Sequence, residues 1–273
     1  MKPLAQRIES TVARLRREGR TGLVAYLCAG DPDFDTSLAL LDAAGDADMV
    51  EIGLPFSDPV ADGPVLQKAH MRALAGGQTV VETLRLLKAW RLRRPDVPAI
   101  LMGYVNPVLA YGGERFMRDA ADAGADALIL VDLPYEHACT LRRQAQASGL
   151  SLIQMVAQTT DEARRAKMLA QAEGFVYQVM LNGTTGGRQE QPALQIRALS
   201  ELRACTALPI VAGFGIQTPQ QARIVAPMAD FIAVGSALVQ AVHDGPAEAA
   251  VARCRATIRA FLDVMGADAG DGD

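Results

Sequence analysis

Short apolar runs alternate with longer helical patterns along almost the whole chain, and this alternation restricts the fold more than any other feature. The runs are nearly continuous in hydrophobicity, which is typical of parallel strands buried on both faces. We predict strands at 22–27, 49–54, 99–104, 127–131, 152–156, 175–180, 209–212 and 231–234.

Helical patterns fill the segments between these strands, with apolar residues spaced three and four apart. We predict helices at 36–44, 80–93, 114–123, 136–148, 161–172, 193–203 and 219–225, with 4–17 before the first strand and 246–265 at the end. Capping residues support several of them: Asp161 begins a helix, Pro219 follows Thr218 in a first turn, and Gly124 ends a helix.

Eight strands alternating with helices, without a linker between them, predict an α/β protein with a (β/α)8 TIM-barrel fold. We expect a single domain over 1–265 with an extra N-terminal helix, followed by a frayed acidic tail at 266–273. The alternative is a doubly wound sheet. That fold needs fewer strands and usually a GxGxxG turn, whereas Ala29-Gly30-Asp31-Pro32 follows the first strand here.

Composition excludes several classes of function. The net charge of −4 comes from charges of mixed sign, whereas a nucleic-acid-binding protein usually carries a basic field. The charged N-terminus is unlike a signal peptide, and no apolar run approaches the roughly 20 residues of a membrane span. Four widely spaced cysteines are typical of reduced, mostly buried thiols and so of the cytoplasm. The three histidines show no metal-binding spacing, so we predict no metal site.

Glu51 is the clearest candidate for catalysis, because it stands inside an otherwise apolar strand. Its alternation with Val50 and Ile52 directs it either into the barrel or out toward the helices. Burial raises the pKa of a carboxyl group, as a general acid or base near neutral pH requires. The alternative is a structural glutamate that binds a backbone group or an arginine.

Asp62 is the second candidate, in a loop that Pro55, Pro59 and Pro64 stiffen. A stiff loop can hold a carboxylate in place for catalysis. The alternative is turn formation, since Asp before Gly is a common turn pair. Asp58 has the same ambiguity, and for it the turn is the better interpretation.

Glycine-rich loops follow the last three predicted strands. They are 182–187, Gly213-Phe214-Gly215 and Gly235-Ser236, and the last of these opens a short helix. Glycines let backbone N–H groups approach an anion, and TIM barrels often bind phosphate after strands seven and eight. These features indicate an enzyme for a phosphorylated small molecule. Isomerases, epimerases and aldol-type lyases all remain open at this point.

One long motif narrows the choice. The segment 55–64, PFSDPVADGP, resembles the second-strand loop of the tryptophan synthase alpha chain family. Shorter matches follow in the same order as in the family, from about Leu4 to about Leu262: Glu51-Ile52-Gly53, Ala29-Gly30-Asp31-Pro32, Asn106-Pro107, Asp132-Leu133-Pro134, Gly213-Phe214-Gly215-Ile216 and Gly235-Ser236-Ala237. The long motif is highly specific, whereas the glycine motifs are weak alone.

The resemblance implies a lyase that cleaves indole-3-glycerol phosphate to indole and glyceraldehyde 3-phosphate, within tryptophan biosynthesis. It implies that Glu51 is the acid/base carboxylate and that Asp62 holds the indole N–H. Further positions match the family's substrate site (Tyr104, Tyr177, Thr185 and Phe214) and its phosphate site (Gly186, Gly215, Gly235 and Ser236).

The resemblance also implies a partner, the tryptophan synthase beta chain, in an alpha2beta2-type complex. The loop around Asp58 carries part of that contact. No cofactor is implied for this chain, because pyridoxal phosphate belongs to the beta chain.

Some positions depart from the family pattern. Met180 and Leu181 replace a polar pair in the loop that usually covers the substrate, and Cys28 stands where threonine is frequent. Three hypotheses therefore stay open: an alpha chain working with its beta chain, a standalone paralogue that releases indole or acts on a related phosphorylated substrate, and a mainly non-catalytic activator of a beta chain. Retention of Glu51 and Asp62 argues against the third.

Overall fold

The computed structural model describes residues 4–180, 192–213 and 215–266. Within them, nine parallel strands form one sheet in the order β5-β4-β3-β2-β1-β9-β8-β7-β6. The strands are β1 (Gly22–Cys28), β2 (Met49–Gly53), β3 (Ala99–Gly103), β4 (Ala127–Leu130), β5 (Ser151–Leu152), β6 (Gln154–Ala157), β7 (Val176–Val179), β8 (Ile210–Gly213) and β9 (Phe231–Val234).

The strands at the two edges of this sheet, β5 and β6, are separated along the chain by Ile153 alone. They are therefore two halves of one barrel strand, and the sheet curls into a nearly closed barrel with eight strand positions. The predicted TIM-barrel fold is confirmed. All eight predicted strands are present with ends within one residue of the prediction, the fifth being interrupted at Ile153.

Twelve α-helices belong to the described part of the chain. They are α1 (Leu4–Glu18), α2 (Phe34–Ala44), α3 (Pro64–Ala75), α4 (Val80–Arg93), α5 (Val105–Tyr111), α6 (Gly113–Ala123), α7 (Cys139–Ala147), α8 (Glu162–Leu169), α9 (Pro192–Arg203), α10 (Pro219–Val225), α11 (Ser236–His243) and α12 (Ala250–Gly266). The predicted caps are confirmed: Asp161 and Thr218 accept N-terminal hydrogen bonds, and Gly124 ends α6 with a left-handed backbone at φ 99°.

Two helices, α3 and α5, were not predicted. The buried face of α3 consists of Leu66, Ala69, His70 and Ala73, so its apolar stripe contains a histidine and two small residues. The stripe is correctly spaced for a helix but too weakly apolar to stand out. The second helix has only seven residues and no side-chain cap, whereas the equally short α10 is marked by Thr218 and Pro219 at its start.

The predicted N-terminal helix α1 covers the bottom of the barrel through a buried ionic cluster. Asp126, just before β4, accepts hydrogen bonds from Arg7 of α1 at 2.6 Å and from Arg91 of α4 at 3.0 Å. The same carboxylate accepts the Ala99 N–H at 2.8 Å, at the start of β3. The three charged side chains are almost fully buried, so each needs the others as partners.

No helix in the described residues is both long and apolar enough to cross a membrane. Within the same residues, no group of three or more His, Cys, Asp or Glu side chains could hold a metal ion. Of the cysteines, Cys28 and Cys254 are buried and Cys139 and Cys205 are exposed, so half of them rather than most are buried. The predicted tail begins at Gly266, which ends α12, and its remaining residues lie outside the described part of the chain.

Candidate active site

Glu51 lies on β2 with its side chain directed into the barrel. In the parallel register it is the neighbour of Tyr26 on β1 and of Ile100 on β3. Burial is the main cause that raises the pKa of Tyr177, on the opposite side of the barrel, and the Glu51 carboxylate raises it further. Glu51 also shares its face of β2 with Gly53, where an added Cβ would meet the Tyr26 hydroxyl, and this face lines the interior of the barrel. The structure therefore decides between the two orientations left open by the sequence.

The environment of Glu51 favours a neutral carboxyl group at pH 7. The residue is 1% exposed, and burial raises its pKa to about 8. Its Oε1 has no hydrogen-bond partner in the described part of the chain, and none of the ion pairs there involves Glu51. Nothing described thus supports the structural alternative, in which Glu51 binds an arginine or a backbone group. A buried carboxyl with a pKa near neutrality is suited to proton transfer.

Asp62 lies at the rim of the barrel, where Tyr104 anchors it. The Tyr104 hydroxyl donates to Asp62 Oδ2 at 2.8 Å and accepts the Ala61 N–H at 3.1 Å. Tyr104 follows β3 and its ring packs against Phe56, with centroids 5.2 Å apart. Burial and the Asp62 carboxylate raise the pKa of Tyr104, so its hydroxyl remains a donor. The predicted loop carboxylate is therefore held in place by a hydrogen bond as well as by prolines.

His70 is a further neighbour of Asp62, and sequence reasoning missed it. Its Nε2 lies 3.2 Å from Asp62 Oδ2, and its Nδ1 accepts the Phe56 N–H at 3.2 Å. In the sequence His70 is one of three scattered histidines. Only the fold of α3, which turns the residue toward the loop, reveals the contact.

Tyr26 is the second site residue that the sequence did not indicate. Burial raises its pKa, and the charges of Cys28, Asp62 and Glu51 add to that shift. Its hydroxyl lies against Gly53, two residues after Glu51 on the same face of β2. One sequence signal could have found it. Tyr26 stands two residues before the end of β1, next to Glu51 in register, and is the one aromatic residue of that strand.

Two glycines make room for the tyrosines. A Cβ on Gly53 would lie 2.3 Å from the Tyr26 hydroxyl oxygen, and a Cβ on Gly213 would lie 1.9 Å from that of Tyr177. Both distances are far below van der Waals contact, so these positions require glycine for close packing rather than for an unusual turn. The tyrosine hydroxyls therefore lie directly against the backbone at the ends of β2 and β8.

The candidate phosphate rim follows β8 and β9, which lie three and two strands from β2 in the barrel. Gly215 has a φ of 105°, and Gly235 and Ser236 form the N-terminus of α11 directly after β9. A Cβ on Gly235 would lie 3.3 Å from the Tyr26 ring. The rim therefore adjoins Tyr26, which is the neighbour of Glu51 in the strand register. Helix N-termini and glycine backbones favour an anion. Thr185, Gly186 and Phe214, also predicted for the site, lie outside the described residues.

Asp58 is exposed in the loop after β2, where it accepts a hydrogen bond from Ser57 Oγ at 2.6 Å. Met180, one of the departures from the family pattern, is fully buried, and its N–H donates to the Gly213 carbonyl oxygen at 2.8 Å. Leu181 lies outside the described residues.

These features define a (β/α)8-barrel enzyme with a neutral carboxyl group in its centre, a second carboxylate anchored at its rim and a candidate anion-binding rim after β8 and β9. The model of the family described as the tryptophan synthase alpha chain matches residues 12–265, and the chain belongs to that family.

Solved structures agree with this assignment. The tryptophan synthase alpha chain from Legionella pneumophila subsp. pneumophila superposes with a TM-score of 0.87 at 33% identity, covering 97% of this chain and 99% of that one. A tryptophan synthase structure from Mycobacterium tuberculosis gives 0.86 at 32% identity, covering 96% and 98%. The aminoacrylate-bound form from the same organism gives 0.84 at 31%, covering 95% and 99%. The likeness extends over nearly the whole chain.

Proposed function

We propose that this chain, as a lyase of the tryptophan synthase alpha family, cleaves indole-3-glycerol phosphate to indole and glyceraldehyde 3-phosphate, with Glu51 transferring protons and Asp62 binding the indole nitrogen. The observation that carries the proposal is the contrast between the two carboxyl groups. Glu51 is buried with a pKa of about 8, whereas Asp62 is held at the rim by a donated hydrogen bond. Separate environments give two carboxyl groups separate roles.

Glu51 acts first as an acid. Its neutral carboxyl donates a proton to C3 of the indole ring, which places a positive charge on the ring system. The resulting carboxylate then removes the proton from the glycerol hydroxyl next to the ring. As the carbon–carbon bond breaks, its electron pair returns to the ring, giving indole and the aldehyde of glyceraldehyde 3-phosphate. The carboxyl regains its proton, so the step is balanced without a further reactant.

Asp62 stabilises the charge that this step creates. Tyr104 donates to Oδ2, and no described residue donates to Oδ1. We assign Oδ1 to the indole N–H, whose hydrogen bond strengthens as positive charge develops on the ring. A fixed negative group of this kind stabilises the transition state more than the substrate.

The remaining groups bind and orient the substrate. Tyr26 and Tyr177 are buried side chains of the barrel, and we assign them to supply aromatic surface for the indole ring. We assign the phosphate to the backbone of Gly215, Gly235 and Ser236, together with Gly186, and assign Thr185 and Phe214 to the loops around the substrate. In the described fold Gly235 and Ser236 begin α11, so the helix dipole favours the phosphate charge.

The partner in this proposal is a tryptophan synthase beta chain, contacted in part through the exposed loop at Asp58. Tryptophan synthase structures from Mycobacterium tuberculosis are among the relatives, which supports such a partner. The pyridoxal phosphate of the combined reaction would be bound by the beta chain, and this chain would need no cofactor of its own. Membership of a biosynthetic family supports a location in the cytoplasm.

Indole release from indole-3-glycerol phosphate tests the proposal, measured with the purified chain alone and with its cognate beta chain. We expect release that increases when the beta chain is added. Strong release that the beta chain does not alter would instead support a standalone paralogue. Absence of release under both conditions, combined with stimulation of the beta reaction, would identify a non-catalytic activator and contradict the proposal.

A further inference from the structure

His70 connects the two ends of the loop that carries Asp62. The residue is 1% exposed, on the face of α3 that packs against the barrel. Its Nδ1 accepts the N–H of Phe56 at the start of the loop, at 3.2 Å, and its Nε2 lies 3.2 Å from Asp62 Oδ2 at the end. One side chain thus contacts both the entry of the loop and its functional carboxylate.

The contact with Phe56 determines where the imidazole carries its proton. A ring nitrogen that accepts an N–H has no proton of its own, so the hydrogen-bond network assigns the neutral tautomer with its proton on Nε2. That Nε2–H is buried, and in the described part of the chain it completes no hydrogen bond, although Asp62 Oδ2 lies only 3.2 Å away. A buried donor that close to a carboxylate oxygen needs only a small rotation of Asp62 to become paired.

We infer that His70 is a positioning residue that donates its Nε2–H to Asp62 Oδ2 when substrate occupies Oδ1. The inference rests on the proposed function, since it assigns the indole N–H to Oδ1. Catalytic hydrogen bonds are often poorly aligned without substrate and tighten when it binds. With Tyr104 already donating to Oδ2 at 2.8 Å, the second donor fixes the plane of the carboxylate and directs Oδ1 into the barrel.

Two further contacts support this role. Donors to a carboxylate stabilise its charged form, which the cationic intermediate requires. The ring of His70 meets the ring of Tyr104 edge-on, with centroids 6.5 Å apart at 74°, so the two donors also restrain each other. Asp62 therefore lies between two residues that come from different elements, α3 and the end of β3.

Two substitutions separate the two contacts of His70. His70→Asn places an amide near the former Nδ1 and keeps an acceptor for the Phe56 N–H, but it loses the donor to Asp62. His70→Gln places an amide N–H near the former Nε2 and keeps the donor. We expect His70→Asn to lower kcat for indole release about tenfold with little change in KM, as for one hydrogen bond to a charged group. We expect His70→Gln to recover most of that loss.

Exposed His137 provides the matched control, because His137→Asn makes the same change outside the Asp62 network. It should leave kcat unchanged. A double-mutant cycle with Asp62→Asn then tests whether His70 acts through Asp62, in which case the two effects are not additive. Wild-type kcat in His70→Asn, a glutamine variant no better than the asparagine variant, or additive effects would overturn the inference while the wild-type chain still cleaves its substrate.

A measurement that does not depend on activity keeps the inference testable if the His70 variants do not fold, or if the chain acts on a different substrate. In the ¹⁵N-labelled wild-type chain we expect His70 to show an unprotonated Nδ1 and a protonated Nε2. We also expect the Nε2 resonance to shift in Asp62→Asn. A protonated Nδ1, or an Nε2 resonance that does not respond to Asp62→Asn, would overturn the inference whether or not indole-3-glycerol phosphate is the substrate.

Discussion

Tyr104 and Asp62 are joined by a hydrogen bond of 2.8 Å between the tyrosine hydroxyl and Oδ2 of the carboxylate. The two residues come from different segments, one directly after β3 and one in the loop after β2. The bond therefore ties the loop after β2 to the end of β3. It also uses one carboxylate oxygen and leaves the other for the substrate.

Removal of the Tyr104 hydroxyl should weaken catalysis more than stability. Tyr104→Phe keeps the ring contact with Phe56 but loses the hydrogen bonds to Asp62 and Ala61. Because a hydrogen bond to a charged group contributes about 1.5–3 kcal/mol, we expect kcat for indole release to fall about tenfold or more. Tyr111→Phe is the control, since Tyr111 donates to Asp119 at 2.8 Å outside the site. Equal activity of both variants would count against the anchoring role of Tyr104.

The pH dependence of activity should report the protonation of Glu51. The proposed reaction begins with neutral Glu51, whose pKa burial raises to about 8. The fraction of neutral carboxyl is therefore high below that pH and falls above it. We expect kcat/KM to be level from about pH 6 to 7 and to decline above about pH 8. A rate that keeps rising through pH 9 would mean that the first step uses a base instead.

The pH dependence of stability should show the same group. Folded Glu51 has a pKa of about 8, against 4.5 for an unperturbed glutamate, so between these values the folded state holds one more proton than the unfolded state. The stabilisation is fully present below pH 4.5 and is lost as pH rises to about 8. We expect the free energy of unfolding of the wild type, relative to Glu51→Gln, to fall by about 1.4 kcal/mol per pH unit in that window. A constant difference in denaturant titrations would contradict the raised pKa.

Close packing at Gly213 yields a steric prediction. A Cβ there would lie 1.9 Å from the Tyr177 hydroxyl oxygen, so Gly213→Ala must displace the tyrosine or the end of β8. We expect a loss of about 1–3 kcal/mol in stability and a raised KM, as overpacking usually costs. Gly266→Ala is the control, because a Cβ at Gly266 would meet nothing within 4 Å. A Gly213→Ala variant with an unchanged melting temperature would show that Tyr177 moves freely.

Much of the fold could be predicted because parallel strands that are buried on both faces are recognisable in the sequence as mostly apolar segments. Each predicted strand was a nearly continuous apolar run, and β9 (Phe231–Val234) has the predicted bounds. The helix α3 was not predicted, because its buried stripe consists mainly of His70 and alanines rather than large apolar residues. The break at Ile153 was not predicted either, because the pairing changes there from β4 to β7 while the sequence stays mostly apolar.

The candidate site was predicted in part, for a similar reason. Glu51 stood out because a charge within an apolar strand is costly, and Asp62 because of its loop. Tyr26 and His70 did not stand out, since an aromatic residue in a strand and a histidine in a helix are ordinary in a sequence. Their roles depend on register and on the packing of α3 against the loop, which only the three-dimensional structure reveals.

Glu51→Gln tests the central claim most directly, because it removes the proton while keeping the shape of the side chain. We expect kcat for indole release, measured with the cognate beta chain present, to fall by about 10²–10⁴-fold, the usual contribution of general acid–base catalysis. The melting temperature near pH 7 should not fall, because Gln is neutral in both the folded and the unfolded state, whereas Glu51 must take up a proton in order to fold at that pH. A folded Glu51→Gln variant with near-wild-type turnover would contradict the assignment of proton transfer to Glu51.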